Sequence, residues 1–245
     1  MPAAPAPLAE NEPFAFHGER VESARLVSPA EAKRLRAARN VTGKPNADVL
    51  REFIGIAPNG DERRATAIDF PSEMTAAEAQ LYAAPFATLA RVGATLHSAG
   101  RDGALRNALA RLERFLACPA DETEPTFAWI EGEVLPDDSL VVWARDDDFG
   151  AGALASRAFA RWCGECRGDA LSALRSFPFP WSPATPLSSL TRAQEEQRFA
   201  LARAARAEDA DAIEASLAAA YGWPTDLDDA ELLARLTALH AQRKL

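Results

Sequence analysis

The sequence predicts an α+β protein, in which short strands and capped helices precede a purely helical part that begins near residue 188. Three observations predict this class. Four segments carry helix N-cap chemistry, three short β-rich runs lie between turn residues, and the last part of the chain has apolar residues at helical spacing. With 245 residues and 48% hydrophobic composition, the chain can bury one core or slightly more.

The predicted helices begin at capping residues. Ser28 is an N-cap, Pro29 takes the first helical position and Glu31 lies three residues after the cap, which predicts a helix through about Arg39. The same chemistry starts three later helices: Thr75 with Glu78, Thr191 with Gln194, and Asp228 with Glu231. One more amphipathic helix is predicted from apolar residues that recur every four positions: Ile213, Leu217 and Tyr221.

The predicted strands are short β-rich runs: Arg64–Phe70, Thr126–Ile130 and Leu140–Ala144. Turns are predicted at 55–60 (GIAPNG) and at 135–139 (LPDDS). A Pro/Ser cluster at 183–188 separates the mixed region from the helices that follow. We therefore expect a leader over 1–13, a mixed α+β domain over 14–187 and a helical element over 188–245.

Composition restricts the class of protein. The N-terminal stretch MPAAPAPLAENEP has no basic start and no long apolar core, which is typical of a disordered leader rather than a signal peptide. No run of eighteen apolar residues occurs, so we expect no membrane contact and a cytoplasmic protein. Three cysteines, an odd and sparse count, argue against a disulfide framework.

The charge balance points in two directions. The net charge of −9 is unusual for a generic nucleic-acid binder. The basic residues are nevertheless almost all arginine, with lysine only at 33, 44 and 244, and arginine suits base edges and phosphates. A GC-rich genome would explain the arginine content equally well.

Two clusters are candidates for chemistry. Cys163 and Cys166 form a CxxC pair, for which redox, zinc-binding and structural roles are open; the structural role is favoured because further ligands are lacking. Asp146–Asp148 follow a strand and would either hold Mg²⁺ or cap the next helix, and the cap is favoured because no matching Glu and Lys pattern occurs. The sequence contains no GxSxG, P-loop or Asn-Pro-Pro-Tyr motif, so we expect no catalytic residue and no metal.

Six stretches of the chain, in the same order, resemble the C-terminal part of the MmeI-like group of large bacterial adenine-specific DNA methyltransferases. They are FAFHGERVESARLVSPAEAKRL, NADVL, AIDFPSEMTAAEAQLYAAPFATL, FAWIEGEVLPDDSLVVWARDDDFGAGALASRAFARW, RSFPFPWSP and IEASLAAAYGWPTDLDDAELLARLTALHAQR. Each stretch is a modest match, but six in order are specific. The resemblance covers residues 14–245.

In that group, this region is the target-recognition domain followed by a C-terminal helical element, and the methyltransferase core lies before it. Adenine methylation needs a flipped base held by an Asn-Pro-Pro motif beside S-adenosylmethionine, and this chain has neither element. The resemblance therefore implies a DNA target-recognition subunit or fragment of a split methyltransferase or restriction–modification system, which is not catalytic alone. It has no cofactor of its own, and S-adenosylmethionine is expected on a partner methyltransferase core, with double-stranded DNA as the other partner.

The candidate DNA contacts that follow from this resemblance are mostly arginines, since arginine binds base edges and phosphates. They are Lys44, Asn46, Arg51, Arg63, Arg64, Arg145 and Arg157. For each of them, a surface or salt-bridged side chain is the alternative.

Departures from the family pattern keep two other functions open. Glu122–Pro125 (ETEP) stands where the group has a donor-rich SKHR, and acidic residues there would repel phosphate. This favours a non-enzymatic protein-interaction module, a repurposed or decayed recognition domain. The third function, a metal-dependent enzyme that uses Asp146–Asp148 or the CxxC, is the least favoured.

The segment RSFPFPWSP, over 175–183, holds three prolines that block helix and central strand. Its aromatic residues therefore need a surface to pack against. We expect Phe177, Phe179 and Trp181 to anchor an extended connector across the recognition domain. The alternative is that they form a docking site for the missing methyltransferase core.

Overall fold

The computed structural model describes residues 4–40, 42–57, 59–100 and 102–244. The first three residues of the expected leader, Pro58 of the predicted turn and the last residue of the helical element lie outside the described residues. The chain divides into two compact units. The helical unit takes the described residues within 1–17, 108–131 and 141–245, and the hairpin unit takes those within 18–107 and 132–140.

Helices and short strands are both present, and the predicted α+β class is confirmed. The described residues contain these α-helices: α1 Pro29–Ala37, α2 Ala76–Ala79, α3 Ala83–Arg91, α4 Gly103–Leu109, α5 Asp148–Leu154, α6 Arg157–Glu165, α7 Ala170–Ser176, α8 Arg192–Arg206, α9 Ala210–Tyr221 and α10 Asp229–Arg243. They contain these strands: β1 Ala15–His17, β2 Leu26–Val27, β3 Leu50–Ile56, β4 Glu62–Ile68, β5 Arg114–Pro119, β6 Ala128–Glu131, β7 Leu135–Pro136 and β8 Leu140–Trp143.

The helix starts follow the predicted caps. The Ser28 side chain accepts from the Glu31 backbone N–H at 3.2 Å at the start of α1. Reciprocal capping boxes start α2, α8 and α10, each with the side chains expected. Pro85 lies in the first turn of α3, where its missing N–H costs no intrahelical hydrogen bond.

The sheet of the hairpin unit has the strand order β2-β4-β3-β7. Strands β3 and β4 form a seven-residue antiparallel hairpin, from Leu50 opposite Ile68 to Ile56 opposite Glu62. β3 was not predicted, and it occupies part of the expected turn at 55–60. β7 pairs in parallel with β3 at the start of the other predicted turn, and Pro136 is tolerated there because the strand is only two residues long at the sheet edge.

The sheet of the helical unit has the order β1-β8-β5-β6. β1 is antiparallel to β8 and β5 is antiparallel to β6. β6 and β8 correspond to two predicted strands, whereas β1 and β5 were not predicted. All four β8 residues are buried, so this strand runs through the core of the unit.

The core of the helical unit is rich in aromatic residues. Phe177 is fully buried and Phe179 is 1% exposed. The Phe179 ring stacks on Trp143 with 5.0 Å between centroids, and the half-buried Trp181 ring stacks on Phe149 at 4.7 Å. The Phe-Pro-Phe-Pro-Trp segment therefore packs along its own unit.

The expected disordered leader is packed over residues 4–13. Leu8 is 1% exposed, and the buried Asn11 amide donates to the carbonyls of Leu174 and Phe177 at 2.9 and 2.8 Å. An apolar anchor and a doubly bonded amide explain why an Ala/Pro-rich composition gave the wrong expectation. The expected separation at residue 188 also differs from the structure, because α8, α9 and α10 belong to the same unit as β1, β5 and β8.

Candidate nucleic-acid interface

Helix α1 of the hairpin unit carries a cluster of cations. Ala32 and Leu35 are buried, while Lys33, Arg34 and Arg36 are exposed. Arg34 pairs with Glu31 at 2.6 Å and Arg36 pairs with Glu52 of β3 at 2.9 Å. Lys33 on the helix and Arg39 just beyond it are exposed and have no ion-pair partner among the described residues.

Asn46 fastens this helix to the chain that enters β3. It is fully buried, and its side-chain Nδ2 donates to the carbonyls of Leu35 and Ala38 at 2.8 and 3.0 Å. Its Oδ1 accepts from Asn40 at 2.6 Å. Because these bonds satisfy carbonyls at the C-terminal end of α1, contact between Asn46 and DNA would require them to break. Asn46 therefore positions the neighbouring cations.

Lys44 and Arg51 lie on either side of Asn46 in the sequence, and both are exposed. The Lys44 Nζ lies 6.0 Å from the centroid of the Tyr82 ring. Hydrogen bonds from Thr75 lower the pKa of Glu78, and the charge of Lys44 lowers it further. Neither Lys44 nor Arg51 has an ion pair among the described residues. We call the four exposed cations without an ion pair in this part of the hairpin unit the basic rim: Lys33, Arg39, Lys44 and Arg51.

Arg63 and Arg64, on β4, are already paired with carboxylates. Arg63 binds Asp137, a buried carboxylate that also accepts from the Ser139 backbone at 3.0 Å. A Cβ atom at Gly55 would lie 2.1 Å from the Asp137 carboxylate oxygens, so only glycine leaves room for this carboxylate. Arg64 pairs with the exposed Glu62 at 2.8 Å. Both arginines stay half-exposed, with part of their charge offset.

Arg145 and Arg157 belong to the helical unit and also hold structure together. Arg145 pairs with Asp147 at 2.5 Å, donates to the Pro183 carbonyl and lies 4.9 Å over the Phe14 ring. Arg157 donates to the Leu227 carbonyl at 2.8 Å. Five of the seven predicted DNA contacts thus have their polar groups engaged within the protein, and only Lys44 and Arg51 remain in the basic rim.

The three consecutive aspartates, Asp146–Asp148, are bound by arginines. Arg114 reaches Asp146 at 2.7 Å and Asp148 at 2.9 Å. Burial lowers the pKa of Arg114, but hydrogen bonds and charges of the two aspartates outweigh it, so the pKa is raised. Asp147 caps α5 by accepting from the Gly150 N–H at 2.7 Å. No cluster of three metal-ligating side chains occurs among the described residues, and the cap is the observed arrangement.

The CxxC pair is buried in the helical unit. Cys163 lies in α6, and burial and then the nearby Cys166 raise its pKa to about 12. Burial also raises the pKa of Cys166, whose Sγ lies 3.5 Å from Ser176 Oγ. Neutral thiols are neither nucleophiles nor ligands at neutral pH. The arrangement is therefore that of packed structural cysteines.

A buried ionic network in the hairpin unit was missed by sequence reasoning. Arg106 on α4 binds Glu19 through two bonds of 2.5 Å and Asp69 through a third of 2.5 Å. Both carboxylates are buried. Asp69 and Glu19 lie within stretches that carry the family resemblance, as do Asn46 and Asp137. Since all four are engaged inside the unit, those stretches specify a framework more directly than a DNA-reading surface.

Comparison with known proteins gives one informative result. A solved structure of the Type IIL restriction–modification enzyme MmeI in complex with DNA is similar to this chain, with a TM-score of 0.54 and 14% sequence identity. The match covers 95% of this chain and 36% of that chain, so this chain spans about a third of the length of MmeI. At this identity, the likeness shows the fold.

The remaining comparisons add no relative. No protein-family model matches the sequence, and no curated protein matches it. No helix among the described residues is long and apolar enough to cross a membrane.

Proposed function

We propose that this protein is a DNA target-recognition subunit or fragment of a split adenine-specific methyltransferase or restriction–modification system. The observation that carries the proposal is the likeness to MmeI over 95% of this chain, since that structure was solved in complex with DNA. The ordered resemblance of six sequence stretches to the same group of enzymes supports it independently.

The basic rim is the surface we assign to DNA. Its four cations are exposed and free of carboxylate partners among the described residues, whereas the charge of the paired arginines is already offset in part within the protein. Unpaired lysines and arginines bind phosphates by releasing counterions. A local cluster of this kind also lets a protein of net charge −9 approach DNA.

Catalysis belongs to a partner in this proposal. The sequence lacks an Asn-Pro-Pro motif and a cofactor loop, and both are needed to methylate a flipped adenine. S-adenosylmethionine would therefore bind a separate methyltransferase core, and this chain would supply the DNA target to it.

The test is duplex binding at several salt concentrations, alone and with the methyltransferase core encoded by a neighbouring reading frame. The variant Lys33→Gln/Arg39→Gln/Lys44→Gln/Arg51→Gln is compared with the wild type. We expect weaker binding and a salt dependence reduced by roughly 0.9 in slope for each phosphate that is no longer neutralised. The matched control, Arg192→Gln/Arg203→Gln, removes exposed arginines from α8 and should bind as the wild type does. Absence of binding and of methylation, with and without the core, would contradict the proposal.

A protein-interaction module is the second candidate. The engagement of five of the seven predicted contacts within the protein favours it, together with the acidic net charge. Sedimentation of this chain with the core protein in the absence of DNA tests it. A stable complex that neither binds nor methylates DNA would favour this second function over the first.

A further inference from the structure

A cavity of about 490 Å³ opens in the helical unit, and none of the basic-rim residues lines it. Its walls are mainly aromatic. The stacked pairs Trp143–Phe179 and Phe149–Trp181 line it, together with Phe14. Its volume lies within the range of small-molecule sites, which are typically apolar with a few placed polar groups.

Two buried donors in this cavity have no acceptor. The Trp143 residue is 1% exposed, yet its indole Nε1–H has no hydrogen-bond partner among the described residues. The Nε–H of Arg198, which also lines the cavity, is buried without a partner among those residues. An unpaired buried donor costs about 1–3 kcal/mol, so two such donors around one cavity indicate a place for acceptors.

The other ionic groups of the cavity wall are already matched. Arg145 pairs with Asp147 and Arg114 pairs with Asp146. Arg198 has no carboxylate partner among the described residues, and its guanidinium lies 4.6 Å from the Phe199 ring centroid. The cavity therefore presents aromatic surfaces, one neutral donor and one uncompensated positive charge.

Gly150 leaves open the space beside the Trp143 donor. A Cβ atom at Gly150 would lie 3.0 Å from Trp143 Nε1, so alanine would occupy the position from which an acceptor could reach the N–H. Gly150 is in the first turn of α5 and lines the cavity. The neighbouring Trp162 differs, because its Nε1 donates to Ser176 Oγ at 3.0 Å.

From these features we infer that the cavity binds a single nucleotide unit. The heteroaromatic base packs against the aromatic walls, an acceptor on its edge takes the Trp143 N–H, and the phosphate lies at Arg198. Bases of every kind stack on aromatic side chains, and arginine matches phosphate in charge and geometry. The inference goes beyond duplex recognition by the basic rim, since the unit would come from a free nucleotide or from an unstacked position in a strand.

The indole N–H signals of the five tryptophans, in protein labelled with ¹⁵N-tryptophan, provide the test. The Trp143 signal is assigned by its loss in Trp143→Phe. Each of the four deoxynucleoside monophosphates, a single-stranded oligonucleotide and a duplex is titrated in turn. We expect a downfield shift of the Trp143 signal with at least one monophosphate, while the Trp162 signal stays in place as an internal control. A response to monophosphates indicates the free source, and a response to the single strand alone indicates an unstacked base.

Two variants test the assigned contacts. Gly150→Ala should abolish the Trp143 shift, and Arg198→Gln should weaken nucleotide binding about tenfold, as expected for one charge-assisted contact. Arg203→Gln, on the same helix and exposed, is the matched control and should bind as the wild type does. Trp143 shifts without any duplex binding would support the nucleotide site while contradicting the proposed DNA recognition.

Two results would overturn the inference. The first is a Trp143 signal that no nucleotide or strand moves at millimolar concentration. The second is a Trp143 signal that only the methyltransferase core protein moves, because the cavity would then be a protein-docking site.

Discussion

The helical unit and the hairpin unit use their arginines in different ways. In the helical unit, Arg114 binds two aspartates and lies 3.8 Å from the Trp129 ring centroid, while Arg145 binds Asp147 and covers Phe14. In the hairpin unit, the exposed Arg39 and Arg51 have no ion pair among the described residues. An arginine-rich composition therefore serves packing in one unit and leaves charge available for a partner in the other.

This difference separates stability from binding. Aromatic stacking and buried pairs hold the helical unit, so substitutions there should act on folding. The basic rim is exposed, and substitutions of exposed side chains that make no such contacts usually change stability by less than about 0.5 kcal/mol. The hairpin unit also has a buried part, around Arg106, so the contrast applies to its rim and not to the whole unit.

Phe177→Ala should have the largest effect, because Phe177 is fully buried among Phe159 and Phe179 in the helical unit. We expect a loss of about 3–5 kcal/mol in the free energy of unfolding, measured by urea denaturation. Phe199→Ala is the matched control, since Phe199 is 62% exposed and should change stability little. Equal losses for the two variants would break the comparison between buried and exposed aromatics.

Arg106→Gln tests the buried part of the hairpin unit. The substitution leaves Glu19 and Asp69 buried without their cation, and breaking a buried pair typically costs about 3–5 kcal/mol. Urea denaturation measures the loss, with the exposed pair variant Arg34→Gln as the control. Adding Glu19→Gln and Asp69→Asn to Arg106→Gln should recover part of the stability. Failure to recover any would show that shape, rather than charge, is what Arg106 supplies.

Asn46→Ala separates positioning from direct DNA contact. The loss of two buried hydrogen bonds to the α1 carbonyls should reduce the free energy of unfolding by about 1–3 kcal/mol. Lys44→Gln, the matched neighbour, should leave stability unchanged and weaken duplex binding. If Asn46→Ala weakened binding with full stability, Asn46 would be a DNA contact and the positioning role would be wrong.

Cys163 gives the smallest effect near neutral pH. Its pKa is raised by burial from 9.0 to about 12, so the folded state holds its proton where the unfolded state loses it. Stability is therefore fully present below pH 9 and falls as the pH rises toward 12. Urea denaturation of Cys163→Ala and wild type between about pH 8 and pH 11 measures this slope. A wild-type slope no steeper than that of the variant would contradict the assignment.

The sequence by itself determined the α+β class and the capped helix starts. A capping box involves residues three positions apart, so Thr191 with Gln194 or Asp228 with Glu231 carries its full signal locally. The strands β1, β2, β3 and β5 were not predicted because short strands depend on partners far away in the chain. The aromatic anchors Phe177 and Phe179 were recognised as needing a surface, but Trp143 as that surface was not predictable.

Only the tertiary structure decided which cations are available. Arg63 meets Asp137 across 74 residues, and Arg106 meets Glu19 across 87. Asn11 reaches Leu174 across 163 residues, which is why a stretch that reads as a disordered leader is packed. Local patterns cannot show such pairs, because the energy of a charge or an amide depends on what surrounds it after folding. The sequence thus supplied the elements, and long-range contacts decided which polar groups stay free to bind.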